Sequence, residues 1–414
     1  MPMNRLALAA LLMLLLASCA PQATRTASPE VQPTPLLLVS IDSFRPDYLD
    51  RGLTPTLSQL AREGVRSTGM QSSFPTVTFP NHYTLVTGLY PDHHGIVENT
   101  MHDPAIPGVR FSMSNRATVG DERWWDEATP IWNSADRAGL RTATMFWPGS
   151  EAPIHGHHPD YWKPFDENTT SLQRTDQVLA WLDLPPSQRP RFITLYFDSV
   201  DRNGHDHGPD SSEVNTALAE VDAALAHLLA GLQRRGLHDR INIVIVSDHG
   251  MASVPADHHI VLDDLLPTDA FDAVTLGAVA ELRAQPGDDA IIEKQLVGRH
   301  THMQCWRKQN IPARLHYGSN PRIPPFVCLA DSGWLITTRA KIAGKKPLHV
   351  GEHGYDNDDP LMRALFIAHG PAFRSGVVLP GFPNVDVYPL LAKLLGIRPE
   401  PNDGDIAPLL PALR

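Results

Sequence analysis

Asp201-Arg-Asn-Gly-His205 and Ser247-Asp248-His249-Gly250 each bring a carboxylate and an imidazole together within a few residues. Each string follows a nearly unbroken apolar run, Phe192 to Phe197 before the first and Ile241 to Val246 before the second. Such runs read as buried β-strands. Both Asp–His strings therefore fall just past the carboxyl end of a strand, where a parallel α/β sheet binds ligands. Carboxylate plus imidazole suits a hard or borderline divalent ion such as zinc. Two such strings point to a two-metal hydrolase.

A third apolar run, Leu36 to Ile41, ends in Asp42, and His353 stands in Gly351-Glu-His-Gly-Tyr-Asp356 among glycines that let backbone approach an ion. Gly204 reads as a residue that permits a tight turn between Asp201 and His205. A lone strand-end Asp is more often a cap or turn former. Asp42, Asp201, His205, Asp248, His249 and His353 together form a coherent ligand set. The candidate nucleophile is Thr78 in Phe74-Pro-Thr-Val-Thr-Phe-Pro-Asn-His82. It immediately precedes an expected helix with Pro80 in the first turn. Taken alone, Thr78 is an N-cap. A helix N-terminus also favours an alkoxide or an incoming phosphate, and metal coordination would lower the hydroxyl pKa.

The elements that must position these groups alternate. Strands are expected at 36–41, 142–147, 191–197, 241–246 and 365–368. Helices are expected at 54–64, 79–88, 213–235 and about 385–395, with Leu218, Val221, Leu225, Leu228 and Leu232 striping the longest. This alternation predicts a doubly wound α/β fold with a mostly parallel sheet and helices on both faces. Residues from about 255 to 345 break the pattern and read as an irregular inserted lobe. Cys305 and Cys328 lie there, and an even pair in an exported chain reads as a disulfide, with two buried thiols as the alternative.

The chain has 414 residues and a formal charge of −11, with 42% hydrophobic and 20% charged residues. That supports one large domain and argues against a partner such as a nucleic-acid polymer, whose binder would be basic. Residues 1–19 read as a signal peptide. The Leu6 to Leu16 stretch is too short to span a bilayer, and Leu16-Ala-Ser-Cys19 matches a lipobox, with plain signal-peptidase cleavage as the alternative. Residues 20–35 read as a flexible tether and 36–414 as the catalytic domain. Export places the protein in the periplasm or on the outer membrane of a Gram-negative bacterium. Its only membrane contact would be the N-terminal lipid.

Thr-Phe-Pro-Asn-His-Tyr-Thr-Leu-Val-Thr-Gly-Leu-Tyr-Pro, then His-Gly-Ile, together with the Asp-x-x-Gly-His, Ser-Asp-His-Gly-Met and His-Gly-Tyr-Asp-Asn strings, closely resembles the nucleotide pyrophosphatase/phosphodiesterase family of the alkaline phosphatase superfamily. The resemblance runs from about Leu36 to Phe373. It implies an alkaline-phosphatase-like fold and two zinc ions. Asp201, His205 and His353 would hold one, and Asp42, Asp248 and His249 the other, with the Thr78 hydroxyl. Thr78 would attack phosphorus in line and form a phospho-threonine. Asn99 would bond a non-bridging phosphate oxygen. Phe79 would form one wall of a nucleobase slot, and Tyr161 or Trp162 the facing wall. The substrate would be a nucleotide or other small phosphodiester, with release of a nucleoside monophosphate. Lipid-headgroup diesters or phosphate monoesters are the alternative. A sulfatase is disfavoured because the Thr78 string lacks the Cys/Ser-x-Pro-x-Arg pattern. A serine hydrolase is disfavoured because no Gly-x-Ser-x-Gly elbow is present. A binding protein without turnover would be marked by loss of Thr78 or of a ligand, and all are present.

Overall fold

A computed structural model describes residues 34–344 and 348–414. The expected signal peptide, the lipobox Cys19 and nearly all of the tether lie outside the described residues. No described helix is long and apolar enough to cross a membrane.

In chain order, β1 is Leu36–Ile41, β2 Val65–Ser67, β3 Thr142–Met145, β4 Tyr161–Lys163, β5 Phe192–Phe197 and β6 Asn242–Val246. Five strands of a second sheet follow: β7 (Phe271–Thr275), β8 (Val279–Ala284), β9 (Gly298–His300), β10 (Met303–Arg307) and β11 (Phe326–Ala330). β12 (Phe366–His369) and β13 (Val377–Leu379) return to the main sheet. The eight-stranded main sheet has the order β13-β2-β12-β6-β1-β5-β3-β4. From β6 to β4 the strands run parallel, and β12 is antiparallel to both its neighbours. The fold is the α/β class expected.

β1 shows why these strands are apolar throughout. It lies between β5 and β6, and every one of its residues is buried. Leu36 and Leu38 enter the core on one face, and Leu37, Val39 and Ile41 enter the core on the other, as strand alternation requires. The first face is covered by helices α2 (Thr78–Thr87) and α6 (Val387–Leu395), through Tyr83, Val86, Leu390 and Leu391. The second is covered by α1 (Pro55–Glu63), α3 (Ser171–Leu182) and α5 (Ser212–Arg234). Truncating a β1 leucine to alanine therefore opens a cavity in one core layer at a cost of about 2–5 kcal/mol.

The segment from about 255 to 345 differs from its expected irregular character. It carries a five-stranded antiparallel sheet ordered β7-β8-β11-β10-β9. Charged residues hide the pattern. β8 reads Val-Ala-Glu-Leu-Arg-Ala, yet Glu281 is buried and accepts the Tyr317 hydroxyl at 2.6 Å. Burial holds the Glu281 carboxyl up at about 7. Cys305 and Cys328 face each other on β10 and β11 and form a disulfide, which settles the alternative of two thiols.

Candidate active site

Three strand ends converge. β1 runs into Asp42, β6 into Ser247-Asp248-His249, and β5 into helix α4 (Ser199–His207), which carries Asp201 and His205. The first two loops are laced together. The Ser43 amide donates to Asp248 at 3.2 Å, the Phe44 amide donates to the Ser247 hydroxyl at 2.9 Å, and the Ser43 hydroxyl donates to the Gly250 carbonyl at 3.0 Å. Asp201 and His205 lie one helical turn apart, so they share a face by α-helical spacing rather than by a turn. Gly204 is accordingly helical, which corrects the turn expected there. Its carbonyl lies 2.2 Å from where a Cβ on Gly351 would stand. That close approach brings His353 against His205.

Three groups of candidate ligands result; one is His205 with His349 and Glu352, and the other two adjoin. Asp201, His205 and His353 form one, with the two imidazole Nε2 atoms 3.1 Å apart and each 3.5–3.6 Å from an Asp201 oxygen. Asp42, Asp248 and His249 form the other, with His249 Nε2 3.0 Å from Asp248 and 3.6 Å from Asp42. The His249 and His353 rings stack at 3.7 Å, so the clusters adjoin.

The donor set fits cations. Asp42 Oδ1, Asp201 Oδ1 and Asp248 Oδ2 are buried oxygens without a hydrogen-bond partner. Such groups are costly unless something cationic meets them. Every imidazole is fixed from behind through Nδ1: His205 to the Gly351 carbonyl at 2.9 Å, His353 to that of Thr76 at 2.9 Å, and His249 to that of Gly250 at 3.0 Å. This leaves each Nε2 lone pair facing the cluster, the arrangement of a metal-ligating histidine. The remaining Asp42 oxygen accepts the Tyr196 hydroxyl at 2.5 Å.

The electrostatics agree. Burial, then repulsion from Asp248 and Asp201, raises the Asp42 pKa well above the carboxylate range. Burial also raises that of Asp201, against the pull of His205 and His249. Burial works the same way on Asp248, but His249 and His82 outweigh it and hold that carboxyl well below its ordinary value. Burial and the neighbouring His249 and His205 rings push the His353 pKa down, toward the neutral imidazole a metal needs. Without a cation the three carboxylates cannot all ionise comfortably, and divalent charge would remove that conflict.

Thr78 is the first residue of α2, one position further in than expected, with Val77 at the N-cap. Its hydroxyl does not cap the helix and lies 3.3 Å from His249 Nε2. Asn81 locks the preceding loop by donating to the Ser73, Pro75 and Val77 carbonyls. Asn99 accepts the Phe79 amide through Oδ1 at 2.9 Å, which places its amide group beside the helix start.

Phe79 lines a cleft of about 550 Å³, together with Phe146, Trp147, Phe165 and Tyr196. Tyr161 and Trp162 do not line it. They belong to β4, the last strand of the sheet, where the Tyr161 hydroxyl donates to Gln188 and Trp162 stacks on His158. Phe165, three residues beyond Trp162, is the aromatic of this segment that lines the cleft. Its amide donates to Glu151 at 2.9 Å, its carbonyl accepts from Arg116, and the buried Arg174 guanidinium sits 5.7 Å from its ring. The Pro164-Phe165 step out of the strand was the available signal.

Residues 36–356 match the family model described as type I phosphodiesterase / nucleotide pyrophosphatase. A pyrophosphatase/phosphodiesterase of Schizosaccharomyces pombe, itself uncharacterized, is 40% identical over 92% of this chain and 80% of its own length. The bis(5'-adenosyl)-triphosphatase enpp4 of Xenopus laevis is 38% identical over 90% of this chain and 80% of its own. Among solved structures, murine ENPP5 in an inactive threonine-to-alanine form in complex with AMP superposes with a TM-score of 0.87. It is 34% identical, over 92% of this chain and 100% of that one.

Proposed function

We propose, for a chain that belongs to the type I phosphodiesterase / nucleotide pyrophosphatase family and is an enzyme of that class, that it cleaves nucleotide phosphodiester and pyrophosphate bonds through a phospho-threonine on Thr78 with two zinc ions. The observation that carries this is the pair of adjoining clusters with three partnerless carboxylate oxygens, one cluster reaching the Thr78 hydroxyl at 3.3 Å. Asp42, Asp248 and His249 would hold one ion, and Asp201, His205 and His353 the other. When bound, the ions supply Lewis-acid stabilisation to the Thr78 alkoxide and to the leaving oxygen. Thr78 Oγ1 forms a bond to phosphorus as the bond to the leaving oxygen breaks. Water then displaces Thr78, restores its hydroxyl and releases a nucleoside monophosphate. Asn99 is held through Oδ1 by the Phe79 amide, so its Nδ2 donates to a non-bridging phosphate oxygen. The test is hydrolysis of an aromatic nucleotide phosphodiester against the matching monoester with zinc. Preference for the monoester would move the protein to phosphatase chemistry.

The base lies between Phe79 and Phe165 in this reading. Phe165→Ala is expected to raise KM for a nucleotide diester about tenfold, the loss of one base–aromatic contact of ~1–2 kcal/mol, with kcat nearly unchanged. Trp162→Ala is expected to leave both constants alone. Equal losses in the two variants, in steady-state kinetics, would remove Phe165 from the slot.

Tyr196 joins the two halves of the site. Its hydroxyl bonds Asp42 and its ring lines the cleft. Tyr196→Phe keeps the ring and removes the bond that orients Asp42. Outer partners of this kind are worth about 10–100-fold in metal affinity. Competition of the variant and the wild type against a zinc indicator measures this, and equal affinities would show that the bond orients nothing. We also place the enzyme outside the cytoplasm, on the strength of the Cys305–Cys328 bridge.

A further inference from the structure

Two buried carboxyls stand beside the segments that carry Thr78 and Asn99, and the reaction described so far uses neither. Glu281 belongs to β8 of the second sheet and is 0% exposed. Glu98 directly precedes Asn99 and is 4% exposed. Its carboxyl accepts the backbone amide of Asn99 at 2.8 Å. Tyr317, in the connection between β10 and β11, reaches both Glu281 and the segment of Glu98. Its hydroxyl oxygen lies 2.6 Å from Glu281 Oε1 and 3.1 Å from the Val97 carbonyl. Its ring meets Phe74 edge-on at 5.3 Å. The second sheet is thereby tied to the segment that leads into Thr78 and to the one that carries Asn99.

A count of hydrogens fixes how Tyr317 acts. Its hydroxyl has one hydrogen, and an ionised carboxylate and a carbonyl are both acceptors. With Glu281 ionised, Tyr317 gives that hydrogen to the carboxylate and none to the buried Val97 carbonyl. With Glu281 protonated, the carboxyl donates to the Tyr317 oxygen, and Tyr317 donates to Val97. Only the protonated form satisfies both contacts. We propose that Glu281 and Tyr317 are positioning residues for Asn99: protonated Glu281 turns the Tyr317 hydroxyl onto Val97 and fixes the 97–99 segment, and with it the donor to the non-bridging phosphate oxygen. Neither residue lines the Phe79 cleft or belongs to a candidate metal cluster, so both act through Asn99. The charged groups around them set the range in which this works. Burial holds the Glu281 carboxyl up at about 7, against Tyr317, Arg283 and Lys308. Burial, then repulsion from Glu281, raises Glu98 well above the carboxylate range, with the Asn99 amide opposing and Glu352 adding to it. Asp92 faces Tyr317 and Lys308. Two carboxylates cannot both ionise in this core, and Glu281, with the cations beside it, ionises first. The productive form is the protonated one, so its contribution is full well below pH 7 and is lost as pH rises through about 7. This inference rests on the role proposed above for Asn99.

The test is kcat of the zinc-saturated full chain on an aromatic nucleotide diester, from about pH 6 to about pH 9, for the wild type, Glu281→Gln and Tyr317→Phe. Ratios taken at each pH cancel the titrations that all three proteins share. A phosphate-oxygen donor is worth about 100–1000-fold, and misplacing it forfeits part of that, about tenfold. Glutamine carries a donor at every pH, so the ratio of Glu281→Gln to wild type should rise about tenfold between the two ends of the range. Phenylalanine cannot hold Val97 at any pH. Tyr317→Phe should therefore run about tenfold slower than wild type at the acid end and match it at the alkaline end, with KM within about twofold throughout. In an Asn99→Ala background these differences should vanish, because the segment then has no donor to place. A merely structural role would give Tyr317→Phe the same cost at both ends and in both backgrounds. Ratios flat in pH, or undiminished in Asn99→Ala, would overturn the positioning role while the phosphodiesterase reading stands. A wild type that turns over no diester at any pH would sink that reading and this inference with it.

Discussion

Thr78→Ala is expected to lower turnover of a nucleotide diester by about four orders of magnitude or more, while thermal stability and AMP binding stay near those of the wild type. Removing the nucleophile of a covalent mechanism typically costs that much, because the remaining groups then have nothing to position. The unusual part of the expectation is the unchanged stability. A threonine at the start of a helix is usually a cap, and losing it costs about 1 kcal/mol. Here Val77 occupies the cap position and no side chain caps α2. The Thr78 hydroxyl points instead at His249, and the loop before it is held by Asn81. Alanine therefore removes an oxygen from the site without loosening the helix. AMP binding should survive because the Phe79 and Phe165 walls are untouched. Thr78→Ser supplies the control, since it returns a hydroxyl at the same backbone position and should recover part of the rate. Activity in Thr78→Ala above about one per cent of wild type would remove Thr78 as the nucleophile.

The central sheet was legible because burial on both faces forces an unbroken apolar run, as in Leu36 to Ile41, and an acid at the end of such a run stands out. The candidate cluster followed from that: Asp42, Asp248 and His249 sit at the ends of paired strands, and the register of the sheet brings those ends side by side. Two things were hidden. The second sheet carries Glu281 inside and Arg283, Gln304 and Arg307 along its strands, so its alternation does not read as apolar and polar. Tyr161 and Trp162 are the more conspicuous aromatics of this segment, yet the one that lines the cleft is Phe165, three residues on. Their backbone pairs with β3, which commits them to the sheet edge. Only after Pro164 does the chain leave the sheet and turn Phe165 inward. The same limit applied to Gly204, which looks like a turn residue in a string but is tolerated inside α4 because Met251 and the Gly351 backbone pack directly on it.

The second large effect is metal removal. Chelation is expected to cut diesterase activity by about a thousandfold or more, several kcal/mol of transition-state stabilisation. Two equivalents of zinc should restore it. Stability should follow: a ligand at about a hundred times its Kd stabilises the folded state by roughly 2.7 kcal/mol, so the melting temperature should rise as zinc is added. The pH dependence has a definite sign. Asp42 and Asp201 have raised pKa values in the metal-free protein. His205 and His249 are raised as well, since burial opposes their charge but the facing carboxylates outweigh it. Groups that hold protons more tightly than usual must release them before they can ligate, so binding expels protons and weakens as pH falls. Asp248 and His353 add nothing to this, because their pKa values are lowered and they need no deprotonation. The four ligands that hold protons set the direction, and apparent zinc affinity should climb as pH rises. Asp248→Asn removes the one carboxylate that needs no deprotonation, so it should cost more affinity at low pH than Asp42→Asn does. Calorimetric titration of the metal-free protein at several pH values decides this. Saturation at one ion, or an affinity flat in pH, would mean that the two clusters do not act as a pair.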